Sequence, residues 1–424
     1  MENKRYIRIK GERALSGIVS IDGSKNSALV CMAAACLIDT GKVILTNVPD
    51  ISDIKVMSSI LKGLGKQISY NDGIMQIDGK LVYEEIPQEK AESIRGSIYC
   101  LGLMIGMLGK AKLYLPGGDK IGSRPIDIHL DSLESMGMKY RVENARIIAC
   151  APEGLHGENI FLRFPSVGAT CNVMLAAARA NGKTTMYNCA REPEIVDLAN
   201  LMTKIGVKIT GAGSDKIVIY GKNSLNVETV IHEVISDRIE TGTFMIAVAM
   251  TGGNAILKNC IPYHSYPLIS ILRKCGVDIE IGDSEIAVSA KRNLKPLKVT
   301  MMPFPGISTD LQPLLTALAL KINNESIIVD LVFPDRFSYV YEMKKLGADI
   351  EREGSKIIVR GGKFLNGTRV KGKDIRAVTA LVCTGLIING VTEIEGVQHI
   401  ERGYSHFVEK LKNIGANITL IEEK

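Results

Sequence analysis

Residues 308–362 read STDLQPLLTALALKINNESIIVDLVFPDRFSYVYEMKKLGADIEREGSKIIVRGG, and this stretch carries the folding pattern of the whole chain. A polar opening leads into an apolar helix, a strand, an amphipathic helix that ends at Gly347, and two strands joined by a turn. The glycine suits a helix C-terminus, where a residue in the left-handed conformation ends the last turn. The pattern predicts one unit of alternating helices and strands.

The same helix–glycine–strand junction occurs six times in the 424 residues. The junctions are LKGLGKQI (61–68), LESMGMKY (133–140), LMTKIGVKI (201–209), ILRKCGVDI (271–279), EMKKLGADI (342–350) and EKLKNIGANI (409–418). Their glycines are separated by 68 to 72 residues, and this regularity indicates an internal repeat. The sequence therefore predicts an α/β fold of six repeats, each of about 70 residues.

The sixth repeat is shorter than the others, because it stops at ANITLIEEK (416–424). The N-terminal segment KRYIRIKGERALSGIVSIDG (4–23) parallels the end of the fifth repeat, SKIIVRGGKFLNGTRVKGKD (355–374). We therefore expect the N-terminal segment to supply the missing strand. The predicted domains are 25–235, and a discontinuous one formed by 1–24 and 236–424, with three repeats in each.

The composition restricts the class of function. The 52 basic and 46 acidic residues give a net charge of +6, and neither a basic run nor an aromatic-rich RNA motif is present, so we expect no nucleic-acid partner. The nine cysteines show no CxxC spacing, which favours free thiols in a reducing compartment and argues against a structural zinc site. The N-terminal segment lacks the apolar core of a signal peptide, and apolar runs are shorter than the ~20 residues that span a bilayer. We expect a cytoplasmic protein without a membrane partner.

Each apolar helix begins with a polar opening. The six openings are SKN (24–26), SIRGS (93–97), SVGAT (166–170), DRIETGT (237–243), STD (308–310) and KDIR (373–376), and four of them contain a cation: Lys25, Arg95, Arg238 and Arg376. Helix N-termini attract anions because their N–H groups are unpaired and lie at the positive end of the dipole. N-capping explains any single opening as well, and it suffices for Thr170, Thr243 and Ser308. The repeated cations favour anion binding for the set.

Longer motifs add a family resemblance that runs essentially end to end. The motifs are GSKNSALV (23–30), LPGGDKIGSRPIDIH (115–129), FPSVGAT (164–170), REPEIVDLAN (191–200), DRIETGTF (237–244), STDLQ (308–312) and HIERGYSHFVEKLKNIGANI (399–418). In order and spacing they resemble the UDP-N-acetylglucosamine 1-carboxyvinyltransferase family of enolpyruvyl transferases. The resemblance implies a two-domain inverse α/β barrel with three βαβαββ units per domain and an active site in the interdomain cleft.

The implied reaction transfers the enolpyruvyl group of phosphoenolpyruvate to the 3′-hydroxyl of UDP-N-acetylglucosamine and releases phosphate. This is the first committed step of peptidoglycan synthesis, and the resemblance implies no cofactor. Both small-molecule substrates are polyanions, which gives the predicted cations a purpose. The sequence does not indicate an oligomeric state.

The resemblance also implies roles for individual residues. Lys25 and Asn26 would meet phosphoenolpyruvate and the sugar, and Asp310 would take the proton of the 3′-hydroxyl. The remaining substrate-binding residues would be Arg95, Arg124, Pro125, Ile126, Asp127 and Ile128, the backbone of Ser166, Val167 and Gly168 at the diphosphate, Val332 at the uridine, and Asp374, Arg376 and Arg402. Phe164 stands where some members carry a lysine.

Asp119 departs from the family pattern, because many members carry a cysteine at this position. That cysteine protonates the methylene carbon of phosphoenolpyruvate, and a carboxylic acid can do the same. Glycines in PGGD (116–119) would let the loop close as a lid over the substrate. Because fosfomycin alkylates the cysteine, we expect the protein to be insensitive to the drug. The alternative is a plain type II turn, with Asp119 present for turn chemistry only.

Three other functions remain open on sequence. The shikimate-pathway enolpyruvyl transferase shares the fold, but Asn26, PGGD and STDLQ favour the sugar-nucleotide enzyme. A paralogue could act on another nucleotide. An inactive anion-binding relative is disfavoured by the joint presence of Lys25, Asp119, Arg124, Asp310 and Arg402.

Overall fold

The computed structural model describes residues 4–119, 121–122, 124–290 and 293–423. The chain divides into two compact units. Unit 1 comprises the described residues of Met1–Asp22, Asp119–Ser123 and Ser236–Lys424, and unit 2 comprises Gly23–Gly118 and Arg124–Ile235. Asp119, Ile121 and Gly122 thus group with unit 1, although the sequence prediction placed this loop with residues 25–235.

The strands, in chain order, are β1 (Lys4–Lys10), β2 (Ser16–Ser20), β3 (Thr40–Thr46), β4 (Gln67–Asn71), β5 (Ile74–Asp78), β6 (Glu85–Ile86), β7 (Lys110–Tyr114), β8 (Lys139–Glu143), β9 (Arg146–Cys150), β10 (Asn159–Phe161), β11 (Lys183–Tyr187), β12 (Lys208–Thr210), β13 (Lys216–Tyr220), β14 (Asn226–Glu233), β15 (Asn254–Lys258), β16 (Val277–Ile281), β17 (Glu285–Ala290), β18 (Lys298–Met301), β19 (Asn324–Asp330), β20 (Ile350–Glu353), β21 (Lys356–Gly361), β22 (Arg369–Lys371), β23 (Val391–Glu395) and β24 (Asn417–Glu423).

The α-helices are α1 (Lys25–Ala35), α2 (Ser52–Gly63), α3 (Gln88–Ser93), α4 (Tyr99–Leu108), α5 (Asp127–Ser135), α6 (Val167–Ala177), α7 (Pro193–Lys204), α8 (Arg238–Thr251), α9 (Tyr266–Cys275), α10 (Gln312–Lys321), α11 (Ser338–Lys345), α12 (Ile375–Leu386), α13 (Val397–Ile400) and α14 (Phe407–Asn413). Short 3₁₀ turns at Arg95–Ile98, Pro262–Ser265 and Thr309–Leu311 precede α4, α9 and α10. Among the described residues, none of these helices combines the length and the apolar character needed to cross a membrane.

Six four-stranded sheets share one pattern. Their strand orders are β14-β3-β5-β4, β6-β7-β9-β8 and β10-β11-β13-β12 in unit 2, and β18-β19-β21-β20, β16-β17-β15-β2 and β22-β23-β1-β24 in unit 1. Each sheet has one parallel pair and a hairpin-like antiparallel part. The repeated pattern confirms the α/β fold of six similar units.

Strand β1 lies inside the last of these sheets rather than at the start of an independent element. It pairs antiparallel with β23 on one side and with β24 on the other, in the register Lys4↔Glu423 and Arg8↔Thr419. In the fifth repeat the same place is filled by β21, which comes from the repeat itself. The N-terminal strand therefore completes the sixth repeat.

The predicted apolar helices form the centre of each unit. In unit 2, α1, α4 and α6 pack against one another, and in unit 1, α8, α10 and α12 do the same. Each set is buried within its own continuous hydrophobic core. The six junction glycines that end the amphipathic helices all have φ between 92° and 108°, as a left-handed helix end requires.

One buried ionic cluster joins three elements of unit 1. Lys410 on α14 donates to Glu240 on α8 at 2.6 Å and lies 2.8 Å from Asp22. Glu240 also accepts the backbone N–H of Asp22 at 2.8 Å. Burial raises the pKa of Glu240, and the charge of Lys410 opposes that rise. The cluster fixes the end of the N-terminal segment of unit 1 to two helices.

Candidate active site

The polar openings of the apolar helices are used for capping at five of the six sites. Side-chain oxygens of Ser24, Ser166, Asp237, Ser308 and Asp374 accept backbone N–H groups of the first helical turns. Thr170 and Thr243 do not cap: Thr170 accepts the N–H of Ala190, and Thr243 bonds Tyr404. Capping therefore accounts for the first polar residue of five openings, contradicts the expected capping role of Thr170 and Thr243, and leaves the cations to be explained.

Lys25 lies in the first turn of α1, where it meets an acid from α2. Its Nζ is 2.6 Å from Oδ2 of Asp53, and both side chains are largely buried. Asp53 stands in the first turn of α2, where the helix dipole also favours a carboxylate. The ion pair gives the ammonium of Lys25 a defined direction, and Asn26 follows it half-buried on the same turn.

Arg95 and Arg124 meet in unit 2. Nη2 of Arg95 donates to the backbone carbonyl of Arg124 at 2.6 Å. Burial, followed by the nearby charge of Arg124, lowers the pKa of Arg95 to about 10. The charge of Arg124 therefore disfavours the charge of Arg95, and an anion that binds both side chains would relieve this repulsion.

The segment after Arg124 leads directly into α5. Pro125 is exposed, Ile126 is buried, and Asp127 and Ile128 form the first turn of the helix. Asp127 forms an ion pair with Arg163. Arg163 directly precedes Phe164, so a cation is present one position before the residue that replaces the lysine of other family members. Sequence comparison by position overlooked it.

The SVGAT segment forms the N-terminus of α6, and His129 from α5 packs against it. A Cβ placed on Gly168 would lie 2.9 Å from Cε1 of the imidazole, so a side chain there would displace the ring or the helix turn. Oδ1 of Asn172 accepts the N–H of Gly102 at 2.7 Å, and its Nδ2 lies 2.8 Å from Nδ1 of His129. Since that Nδ2 must donate, Nδ1 of His129 is the acceptor.

The protonation state of His129 follows from this network. Burial, followed by the charge of Arg95, lowers the pKa of His129 to about 3. The neutral ring therefore carries its proton on Nε2. This N–H lies beside Gly168 in the first turn of α6, and the unpaired backbone N–H groups at a helix N-terminus already favour an anion.

In unit 1, Asp119 is bound by Arg402. Nη1 of Arg402 donates to Oδ1 of Asp119 at 2.5 Å, and the two side chains are 18% and 12% exposed. His399 is nearby: burial lowers its pKa, while the charge of Asp119 opposes the change. The sequence named Asp119 and Arg402 separately, and the structure brings them together.

Asp310 lies between two arginines. Nη1 of Arg336 donates to Oδ1 at 2.6 Å, and Nη2 of Arg376 donates to Oδ2 at 2.9 Å. Burial by itself raises the pKa of Asp310, but the charges of Arg376 and Arg336 outweigh it and hold that pKa well below its usual range. Asp310 is therefore an ionised carboxylate.

A buried acid connects Asp310 to Val332. Asp330 accepts the backbone N–H groups of Val332 and Phe333, each at 2.9 Å, on Oδ1. Its Oδ2 accepts the hydroxyl of Thr309, the residue before Asp310, at 2.6 Å. The predicted uridine contact and the predicted base are thus held by one carboxylate that the sequence prediction missed.

Asp374 and Arg376 share the N-terminus of α12. Oδ1 of Asp374 accepts the N–H groups of Arg376 and Ala377 at 3.0 Å, so this acid caps the helix. Arg376 also donates to the hydroxyl of Tyr404 at 2.7 Å, which in turn bonds Thr243. Arg376 therefore reaches Asp310 in a fixed orientation.

The predicted residues fall into two groups by unit. Those of unit 2 are Lys25, Asn26, Arg95, Arg124, Pro125, Ile126, Asp127, Ile128, Ser166, Val167 and Gly168, and those of unit 1 are Asp119, Asp310, Val332, Asp374, Arg376 and Arg402. Sequence reasoning missed Asp53, Asp330 and Arg336. Each is a common residue type whose partner is distant in the chain, and the only signal is its position near the start of an amphipathic helix or the end of a strand.

Comparison with known proteins gives consistent relatives. The EPSP synthase (3-phosphoshikimate 1-carboxyvinyltransferase) family model matches residues 9–411. The UDP-N-acetylglucosamine 1-carboxyvinyltransferase 2 of Carboxydothermus hydrogenoformans is 42% identical over 418 residues, 98% of this chain and 99% of that protein. The protein of the same name from Bacillus cereus is 41% identical over 412 residues, 97% of this chain and 95% of that protein.

Solved structures agree with the fold. The enolpyruvyl transferase NikO from Streptomyces tendae has a TM-score of 0.90 at 25% identity, with 100% of both chains covered. EPSP synthase from Acinetobacter baumannii has a TM-score of 0.76 at 18% identity, with 99% of this chain and 100% of that chain covered, and shows likeness of fold alone. The predicted inverse α/β barrel is confirmed.

Proposed function

The chain belongs to the UDP-N-acetylglucosamine 1-carboxyvinyltransferase family of enolpyruvyl transferases, and from this premise we propose that it transfers the enolpyruvyl group of phosphoenolpyruvate to the 3′-hydroxyl of UDP-N-acetylglucosamine. Phosphate is the second product, and the sugar product is a peptidoglycan precursor. The observation that carries the proposal is that Asp119 and Asp310, the two acid–base candidates, each contact arginines that the sequence assigned to substrate.

The reaction needs one proton donor and one proton acceptor. Protonation of the methylene carbon of phosphoenolpyruvate by Asp119 makes the neighbouring carbon electrophilic, and the 3′-hydroxyl oxygen attacks that carbon. Asp310 accepts the proton of the hydroxyl. Loss of phosphate, with return of a proton from the methyl group, restores the double bond and completes the transfer.

Arg402 connects acid chemistry with substrate binding. Arg402 binds the carboxylate of Asp119, and a phosphate group would compete with that carboxylate for the same guanidinium. Binding of phosphoenolpyruvate would therefore release the carboxylate of Asp119 from Arg402, and the released carboxylate can then take up a proton from solvent and pass it to the methylene carbon. The glycines before Asp119 allow the loop to move accordingly.

The cations of unit 2 serve substrate binding. Lys25 and Arg124 bind phosphoenolpyruvate, and Arg95 relieves its repulsion with Arg124 when an anion arrives. Asn26, Pro125, Ile126, Asp127, Ile128 and the N-terminus of α6 bind the sugar nucleotide, as does Val332 from unit 1. The Nε2–H of His129 offers the diphosphate one further donor.

Two further parts of the proposal concern resistance to fosfomycin and the cellular compartment. A carboxylate at position 119 is a poorer nucleophile toward an epoxide than a thiolate, so the enzyme resists fosfomycin. The nine cysteines are all free thiols, eight of them buried, as is typical of proteins from a reducing compartment such as the cytoplasm.

Phosphate release tests the proposal directly. The protein is mixed with phosphoenolpyruvate and either UDP-N-acetylglucosamine or shikimate 3-phosphate, each with and without fosfomycin. We expect phosphate release with UDP-N-acetylglucosamine and none with shikimate 3-phosphate, and we expect fosfomycin to leave the rate unchanged. Turnover only with shikimate 3-phosphate assigns the chain to the other branch, and binding of sugar nucleotide without turnover assigns it to the inactive relatives.

A further inference from the structure

Asp197 on α7 is a buried carboxylate that gathers donors from three other segments of unit 2. It is 3% exposed. It accepts a short hydrogen bond from Oγ of Ser27 and a backbone N–H bond of 3.3 Å from Ile235. Nε2 of His232 on β14 lies at 3.0 Å. The proposed chemistry makes no use of this acid.

A cysteine beside the acid raises the question of a metal site. Ligand atoms of Cys31, Asp197 and His232 lie within 4.8 Å of one another. However, burial, followed by the charge of Asp197, raises the pKa of the Cys31 thiol well above its usual value, so it keeps its proton and points Sγ to Asp197 at 3.8 Å. The cluster is a set of donors around one carboxylate.

These hydrogen bonds enclose the first turn of α1. Ser24 donates its backbone N–H to the carbonyl of Ile235 at 2.7 Å, and the N–H of Ile235 is bound by Asp197. Asp197 in turn holds Ser27. The circuit runs from Ser24 through Ile235 and Asp197 back to Ser27, and the two residues that it spans are Lys25 and Asn26.

The circuit restrains the turn that carries the proposed substrate groups. A buried carboxylate that loses some of its hydrogen bonds costs free energy, so Asp197 and its donors keep one fixed geometry. The donors are Ser27, Cys31, His232 and Ile235. Rotation of α1 about its axis would break the bond to Ser27, and displacement of Ile235 would break the bonds to Ser24 and Asp197. The side chains of Lys25 and Asn26 therefore start from a fixed backbone.

We propose that Asp197 is a positioning residue for enolpyruvyl transfer, which sets Lys25 and Asn26 through Ser27 and Ile235. The inference rests on the proposed function of Lys25 and Asn26. A misplacement of reacting groups by about 1 Å costs rate by a factor of up to roughly 100. Loss of Asp197 should therefore appear in kinetic constants of the folded enzyme as well as in its stability.

The test compares Asp197→Asn with a matched control, Asp39→Asn. Asp39 also joins segments of unit 2, because it bonds Arg179 at 2.5 Å and the N–H of Leu225 at 2.7 Å, but it lies beyond the other end of α1. We expect Asp197→Asn to raise KM for phosphoenolpyruvate and lower kcat by a combined factor of roughly 10 to 100. Asp39→Asn should lower Tm and leave both constants unchanged.

A second variant tests the route and guards against misfolding. Ser27→Ala should shift the same constants in the same direction by a smaller factor. The double variant should be no worse than Asp197→Asn alone, since Ser27 acts through Asp197. Unchanged kinetic constants in both single variants, or effects that simply multiply in the double variant, would overturn the proposal.

Hydrogen exchange separates this inference from the proposed function. The backbone amides of residues 24–31 should exchange faster in Asp197→Asn than in wild type or Asp39→Asn. This expectation does not depend on which substrate the enzyme uses. If Asp197→Asn exchanges faster but the wild-type protein shows no enolpyruvyl transfer, the restraint by Asp197 stands and the proposed function is refuted. Unchanged exchange in an active enzyme would refute the restraint alone.

Discussion

Arg402 donates to Asp119 across 283 positions of sequence, at 2.5 Å, so the loop residue that departs from the family pattern is held by an arginine that the sequence analysis assigned to substrate binding. Under the proposed function, the carboxylate and the phosphate of the substrate would compete for one guanidinium. This relationship makes the identity of residue 119 testable in several ways.

Replacement of Asp119 should separate acid catalysis from drug sensitivity. Asp119→Ala should lower kcat by roughly 10² to 10⁴, the usual contribution of a general acid. Asp119→Cys should keep turnover, extend activity to higher pH because the ordinary pKa of Cys exceeds that of Asp, and gain inactivation by fosfomycin. Phosphate release from pH 5 to 9, before and after incubation with the drug, measures both effects. A drug-sensitive wild type would contradict the role of Asp119.

Removal of Arg336 should change the acid response of the enzyme. Arg336→Met leaves Asp310 with one of its two guanidinium partners, so its pKa rises and the acidic limb of the kcat profile moves to higher pH. We expect a stability loss of about 3 kcal/mol at pH 7, at the lower end for a broken buried pair because Asp310 is 24% exposed.

The sign of the pH effect at Asp310 follows from its lowered pKa. Stability gained from such a carboxylate is fully present above the unfolded pKa near 4 and is lost as pH falls further. The difference between wild type and Arg336→Met should stay constant while Asp310 is ionised in both, and it should shrink once pH falls through the higher folded pKa of the variant, as urea unfolding from pH 3 to 7 would show. Arg352→Met, which removes an exposed pair with Asp335, is the control and should show no such trend.

His129 should remain neutral under all assay conditions. Its pKa of about 3 predicts an Nε2–H tautomer from pH 5 upward, visible in the ¹⁵N shifts of the imidazole. The unfolded chain should titrate near 6.5, so acidification below that value destabilises the fold through this residue until its folded pKa is reached. A protonated His129 at pH 5.5 would refute the assignment.

Gly168→Ala should impair nucleotide binding selectively. The new Cβ would meet the imidazole of His129 at 2.9 Å and displace either the ring or the first turn of α6. We expect KM for UDP-N-acetylglucosamine to rise roughly tenfold, the cost of one lost hydrogen bond to a charged group, with KM for phosphoenolpyruvate unchanged. Gly63→Ala, where a Cβ meets nothing within 4 Å, is the matched control. Equal effects on both KM values would argue against the diphosphate assignment.

Loss of Lys410 should destabilise unit 1 in a pH-dependent way. Lys410→Met leaves Glu240 buried without its cation. Because burial raises the pKa of Glu240 to about 7, we expect the full cost of about 3–5 kcal/mol for a broken buried pair only above that pH. The stability loss relative to wild type should therefore grow as pH rises above about 7, and the variant should be closer to wild type at pH 5 than at pH 8. Thermal unfolding at both pH values measures this, and Lys410→Met with Glu240→Gln should recover much of the loss.

The repeated architecture was accessible from sequence because it is written in local signals. Gly347 and its five counterparts end helices by a backbone rule that acts within one turn, and their spacing exposes the repeat. The apolar helices follow from composition alone, since a helix that is apolar on all sides must be buried. The shared strand order within the six sheets follows from the repeat once the fold class is known.

The supporting residues of the site were not accessible in this way. Arg336 and Asp330 act through partners more than 20 positions away, and Asp197 acts through a residue 170 positions away. An arginine or an aspartate near a helix start has many ordinary explanations, and only tertiary packing shows which one applies. The sequence therefore indicated the reacting groups better than the groups that hold them.

The place of β1 between β23 and β24 has a consequence for biosynthesis. This strand leaves the ribosome on the order of tens of seconds before its partners exist, at typical rates of translation. Unit 2 lies wholly between β1 and these partners in the chain, so it can mature while β1 waits. The sequence of β1, KRYIRIK, alternates cations with apolar residues, and the charges discourage pairing with foreign strands during the delay. The last-made strand then completes a sheet that the first-made strand began.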